Sequence, residues 1–265
     1  MPKKFDPVGT RKFWLDMLLE VESNFAPDKG RLGQTLYLSA KLHSFVEAYL
    51  VGLADDARPI LEKMIHWMET HPEDEPIQHS KDFGHWRAGW DDLFARRRTL
   101  GLCKWLSRGD PAERDFAGAL EAEWHGWTAV SPHDAALERS EFEYNMPLYL
   151  AVALAAKQPA WGLKFLEATG LKEPFEEHVP MIEFGKWACR HLAGGGQRNP
   201  EFIGRGAEML RAAPSDFFTG DRIVEAALWL KAIYWDSGVV RTSEQTIAKA
   251  YDFMPGVERP DFVPA

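Results

Sequence analysis

The chain has few of the features that define secreted or membrane proteins. Its 265 residues include two cysteines, Cys103 and Cys189, too few for a disulfide scaffold or a cysteine-rich zinc site. The longest uncharged apolar run, Met146 to Ala156, falls well short of the ~20 residues that a membrane-spanning helix needs. Charges interrupt the N-terminal segment, so no secretory signal is predicted. We therefore expect a cytoplasmic protein without a membrane segment.

Basic residues are also in the minority. The chain has 31 Lys and Arg against 40 Asp and Glu, and its formal charge is -9. Affinity for nucleic acid comes from clustered Lys and Arg, and the one basic run, Arg96-Arg97-Arg98, spreads around a helix and forms no stripe. The composition predicts no nucleic-acid partner and favours a basic protein as partner.

Strand signals are nearly absent, whereas helical periodicity runs through the chain. In the first helix Phe13, Met17, Leu18 and Val21 form one apolar stripe. Apolar spacing predicts helices over residues 10–24, 34–52, 57–69, 81–107, 111–128, 132–157, 160–169, 175–193, 200–212, 216–236 and 243–253.

Capping signals agree with these boundaries. Helix starts are predicted at Asp110-Pro111, Ser131-Pro132, Asn199-Pro200 and Thr242-x-x-Gln245, and a stop is predicted at Gly194-Gly195-Gly196. The sequence therefore predicts an all-α fold of roughly nine to eleven helices.

Pairs of helices recur at irregular intervals, which predicts stacked helical hairpins in an irregular solenoid or a compact multi-helix bundle. We expect one domain over residues 1–265, with a subdomain seam near 70–81. The predicted core includes Leu18, Leu42, Phe45, Leu61, Ile65, Leu102, Trp105, Leu120, Leu150, Leu154, Leu166, Trp187, Leu210, Leu228 and Ile233.

Catalytic motifs are weak, so we predict no catalytic residue, metal or cofactor. Glu121 and His125 have a metal-ligand spacing, but no second pair completes a site. The dipeptide His133-Asp134 is the one found in all-α HD phosphohydrolases. We interpret Asp134 as a residue of the first helical turn behind the N-cap Ser131. An all-α metal-dependent hydrolase and a helical-repeat scaffold protein remain the alternatives.

Acidic clusters and tryptophans are the features that point to a binding surface. The chain has 11 Trp, most of which we expect in the core. One acidic cluster precedes two tryptophans spaced i, i+4, and together they form the predicted partner-binding segment: Glu73, Asp74, Glu75, Trp86, Trp90, Asp91 and Asp92. The cluster Glu138, Glu141 and Glu143 is the second choice.

Both ends of the chain resemble one family. The segment Arg11-Lys12-Phe13-Trp14-Leu15, with helices reaching Tyr49-Leu50-Val51-Gly52, is similar to the N-terminal part of immunity proteins against bacterial polymorphic toxins, in particular the PoNe-type DNase immunity proteins. The last helix, Ala226 to Ile233, and the tail from Tyr251 to Pro255 are similar in layout to the end of that family. The resemblance implies a non-catalytic protein that binds a cognate nuclease toxin. Homo-oligomer formation stays open.

Overall fold

A computed structural model describes residues 7–25, 41–42, 44–71, 99–109, 113–128, 146–169, 179–212, 222–254 and 258–259. Within this part the chain forms eleven α-helices, a final 3-10 turn and no strand. The helices are α1 Pro7–Asn24, α2 at 41–42 and 44–50, α3 Ala54–Thr70, α4 at 99–108, α5 Glu113–Thr128, α6 Met146–Ala155, α7 Pro159–Thr169, α8 Val179–Ala193, α9 Pro200–Ala212, α10 Arg222–Tyr234 and α11 Ser243–Ala250. The all-α prediction is confirmed.

Local capping signals account for two of the helix starts in the described part of the chain. The Asn199 side chain accepts a hydrogen bond of 3.0 Å from the Phe202 backbone N–H at the start of α9. At the start of α11, Thr242 and Gln245 form the reciprocal capping box that their spacing predicts. The predicted caps at Asp110, Ser131 and Asp134 lie outside the described residues.

Four predicted helices end two or three residues early, at residues 50, 155, 234 and 250 instead of 52, 157, 236 and 253. The helix predicted to reach residue 157 ends at Ala155, because Lys157 adopts a left-handed backbone conformation with φ of 55°. The last helix ends at Ala250 and tightens into a 3-10 turn over Tyr251–Phe253.

The helix α6 occupies the centre of the described fold. All ten of its residues are buried, and α5, α7, α8 and α10 pack against it. A helix that is apolar on every side must be surrounded, and here other helices provide that surrounding. This part of the chain is thus a compact multi-helix bundle, one of the two architectures that the sequence left open. No described helix is long and apolar enough to span a bilayer.

The predicted core residues are buried except for two. Leu166 and Trp187 are only half-buried and pack on the edge of the core. The predicted stripe on α1 also needs correction, because the Phe13 side chain is 55% exposed. Trp14 packs against the core instead, and Phe13 rests edge-on against the Trp14 ring with centroids 5.0 Å apart.

Candidate interaction surface

The seven residues predicted to bind a partner lie outside the described residues: Glu73, Asp74, Glu75, Trp86, Trp90, Asp91 and Asp92. The second acidic cluster, Glu138, Glu141 and Glu143, lies outside them as well, as do His133 and Asp134. The structure does, however, describe the chain on either side of the first segment: α3 ends at Thr70, and α4 is described from residue 99 onward.

These two helices are joined by a network of charged side chains, which we call the ion-pair seam and define as Glu62, Glu69, Lys104, Arg108 and Asp115. Lys104 Nζ lies 3.1 Å from Glu69 Oε1 and 3.3 Å from Asp115 Oδ1, so it links α3, α4 and α5. Arg108 Nη2 lies 2.9 Å from Glu62 Oε2. The Lys104 side chain is only 14% exposed, so this pairing is shielded from water more than an ordinary surface pair.

Glu62 has the most hydrogen bonds in the seam. Its carboxylate accepts bonds from Arg108 Nε, at 3.0 Å, and from Arg108 Nη2. The Ser107 hydroxyl donates to it as well. The Arg108 hydrogen bond holds the pKa of Glu62 below its usual value, since each of these donors favours the ionised carboxylate.

A second polar cluster joins the early part of the chain to its last helix. Arg58 on α3 pairs with Glu244 on α11. The Ser243 hydroxyl donates to the Leu106 carbonyl over 2.8 Å, and the Tyr251 hydroxyl donates to the Leu50 carbonyl. Burial raises the pKa of Tyr251. Sequence reasoning missed these contacts because no spacing rule connects residues 186 or 201 positions apart.

The end of α3 carries an aromatic contact beside the seam. The His71 ring stacks on Trp67, with centroids 4.8 Å apart and planes 18° apart. Phe25 meets the same indole edge-on at 5.8 Å. These rings fix the end of α3, from which the predicted partner-binding segment continues.

An aromatic and basic cluster lies on α8 and α9. His191 stacks on Trp187 at 5.4 Å, Phe202 stacks on the same indole at 5.2 Å, and the Arg205 guanidinium lies 5.5 Å from it. His191 Nε2 is 2.9 Å from the Gln197 carbonyl. A Cβ at Gly196 would come within 2.4 Å of this ring, so the glycine makes room for the histidine.

Among the described residues, no three His, Cys, Asp or Glu side chains lie close enough together to hold a metal ion. Both cysteines are buried, and burial raises the pKa of each thiol to about 12. These cysteines behave as apolar core residues, as the sequence predicts. The His125 side chain falls outside the described part.

Apolar side chains reach the surface mainly on α1. Three of the five large apolar residues exposed in the described part belong to this helix: Phe13, Leu15 and Leu19. A neighbouring face of α1 packs on α3, with Leu18 and Val21 each 1% exposed.

Comparison with known protein families, curated proteins and solved structures finds no match to this chain.

Proposed function

We propose that this chain is a non-catalytic protein-binding module, and specifically a cytoplasmic immunity protein that neutralises a nuclease-type toxin. The structural observation that carries the proposal is the ion-pair seam. It joins α3 and α4, the two helices on either side of the acidic, tryptophan-containing segment 73–92. The resemblance of both chain ends to DNase immunity proteins supplies the class of partner.

A rigid scaffold beneath a binding segment favours affinity, because every group that must be ordered on association lowers it. Behind the seam α3 and α4 bury large apolar side chains, including Ile65, Met68, Leu102 and Trp105. Binding residues carried between such elements start from a scaffold that does not have to be reorganised.

The charge of the segment fits a nuclease partner. A nuclease site is basic because it holds phosphates. Glu73, Asp74 and Glu75 would accelerate encounter with such a site, while Trp86 and Trp90 would supply the anchors that slow dissociation. The described side chains hold nearly equal numbers of acidic and basic residues, so most of the acidic excess belongs to the remaining sequence, including this segment.

The test uses a nuclease domain encoded beside this gene. DNA cleavage by that domain is measured with and without the protein, and stopped-flow fluorescence gives the rate constants of binding. We expect stoichiometric inhibition. Cleavage that continues unchanged in the presence of excess protein would contradict the function proposed for this pair.

Two sets of variants test the surface. Charge reversal of Glu73, Asp74 and Glu75 should slow association about tenfold or more at low salt and weaken its salt dependence. Trp90→Ala should raise the dissociation rate by the equivalent of ~2 kcal/mol. The matched control reverses Glu167, Glu201 and Glu208, three exposed acids on α7 and α9. If the control slows association as much as the first triple variant, the effect comes from net charge and not from this surface.

A further inference from the structure

The outward side of α1 combines apolar and charged residues in an ordered pattern. Lys12, Leu15, Leu19 and Glu22 follow one another at intervals of three, four and three residues. At about 100° per residue, these four positions fall within a sector of about 80° on the helix surface. All four side chains face solvent: Leu15 is 36% exposed, Leu19 57%, Lys12 80% and Glu22 44%.

This pattern is complementary to itself when reversed. In two copies of α1 that run antiparallel about a two-fold axis at the height of Met17 along the helix, Leu15 of one copy meets Leu19 of the other. The same symmetry places Lys12 opposite Glu22 at both ends. A parallel arrangement would put Lys12 against Lys12 and Glu22 against Glu22, which like-charge repulsion disfavours.

We infer that this face of α1 is a homodimer interface, in which two copies of the chain pair antiparallel through Lys12, Leu15, Leu19 and Glu22. A two-fold contact must use one self-complementary patch, and this patch meets that requirement. The inference is independent of the proposed function, since it concerns a different surface and a second copy of the same chain.

The contacts that Lys12 and Glu22 already make within one chain do not prevent them from pairing with each other across the dimer. Lys12 Nζ lies 2.8 Å from Asp16 Oδ2, and Lys63 Nζ lies 3.4 Å from Glu22 Oε1. Both are exposed pairs of the kind that contributes little stability, so exchanging or sharing them in the dimer costs little. Because one helix pair buries less area than a standard interface, we expect a dissociation constant on the order of micromolar or weaker.

The experiment is sedimentation velocity of the full chain over a range of concentrations. The native chain should show a concentration-dependent monomer–dimer equilibrium. Leu19→Glu should weaken it at least tenfold, because it places a charge in the apolar centre. The exposed Glu208→Lys on α9 should leave it unchanged. A native chain that remains monomeric at several hundred micromolar, or a dimer that survives Leu19→Glu, overturns the inference.

Charge exchange tests the antiparallel register. Lys12→Glu and Glu22→Lys should each weaken self-association, since each places like charges at both ends. An equimolar mixture of the two variants should associate again, because every facing pair is then opposite in sign. A mixture that associates no better than its components overturns the proposed register. Circular dichroism melting of each variant verifies that α1 remains folded.

Discussion

The core around α6 and the ion-pair seam are held together by different forces. Around α6 the contacts are apolar and close, and the Phe184 and Trp229 rings meet with centroids 5.0 Å apart. In the seam, three helices are linked by charged groups that are partly open to water, with Arg108 45% exposed and Glu69 40% exposed. The free energy gained by burying apolar side chains grows with the buried area and dominates stability. Exposed ion pairs add little to the free energy of unfolding and mainly fix geometry. Apolar packing therefore stabilises both regions, since the same core continues beneath the seam, and the charged groups of the seam mainly fix how α3, α4 and α5 are placed.

Glycines show how close the packing around α6 and its neighbours is. A Cβ at Gly185 on α8 would lie 2.6 Å from Leu150 Cδ1, and one at Gly206 on α9 would lie 2.7 Å from Ile233 Cγ1. In contrast, Gly204 in the same helix as Gly206 has nothing within 4 Å of such an atom. Substitution of these two glycines by alanine therefore separates the effect of packing on stability from the effect of helix propensity.

Truncation in α6 should have the largest effect. Leu150 is fully buried, so Leu150→Ala should reduce the free energy of unfolding by about 2–5 kcal/mol through lost burial and the cavity left behind. Urea denaturation followed by circular dichroism measures this. A loss below about 1 kcal/mol would mean that the centre of the bundle is loosely packed, and the contrast with the seam would disappear.

The glycine pair of α9 should give effects of opposite sign. Gly206→Ala should destabilise the protein by about 1–3 kcal/mol, because the added methyl group collides with Ile233. The exposed Gly204→Ala should stabilise it by about 0.5–1 kcal/mol, since alanine favours a helix. Thermal unfolding of both variants provides the comparison. Equal stabilisation by the two substitutions would contradict the close approach of α9 and α10.

Removing the link between Tyr251 and Leu50 should have a smaller effect. Tyr251→Phe keeps the ring and deletes the hydroxyl that donates to the Leu50 carbonyl. We expect a loss of about 0.5–1.5 kcal/mol in the free energy of unfolding. Hydrogen exchange should show faster exchange of the α2 and α11 amides than in the native chain. Protection unchanged in both helices would show that this bond does not hold the two ends together.

The seam should give the smallest effect, and one that depends on pH. Because the pKa of Glu62 is lowered in the folded protein, its ionised form stabilises the fold above its ordinary pKa of about 4.5, and this contribution disappears as the pH falls through the folded pKa. Glu62→Gln should therefore cost no more than about 1 kcal/mol at pH 7, given the exposure of the pair. The difference in melting temperature between Glu62→Gln and the native chain should shrink as the pH falls below the ordinary pKa of about 4.5. A constant difference between pH 7 and pH 3.5 would rule out the charge-based explanation.

Local features were predictable from sequence, and distant pairings were not. The caps at Asn199 and Thr242 depend on neighbours within three residues, and the apolar run of α6 marks a helix buried on all sides. The Arg58–Glu244 pair depends on the topology that brings α3 to α11, which periodicity does not encode. The stripe on α1 is a different case, because the spacing does show it: positions 14, 18, 21 and 25 share one face of the helix, whereas Phe13 lies about 100° around the helix from Trp14.

The contacts of the last helix also have a consequence for biosynthesis. Leu50, Arg58 and Leu106 find their partners on Tyr251, Glu244 and Ser243, so each leaves the ribosome long before its partner does. Until the C-terminal segment emerges, the carbonyls of α2 and α4 lack these donors, and the apolar surface that α11 covers stays exposed to chaperones and to other nascent chains. Completion of the fold is therefore a late event that couples the stability of the N-terminal helices to full-length synthesis. A truncated product would lose the closing contacts and become a substrate for proteolysis.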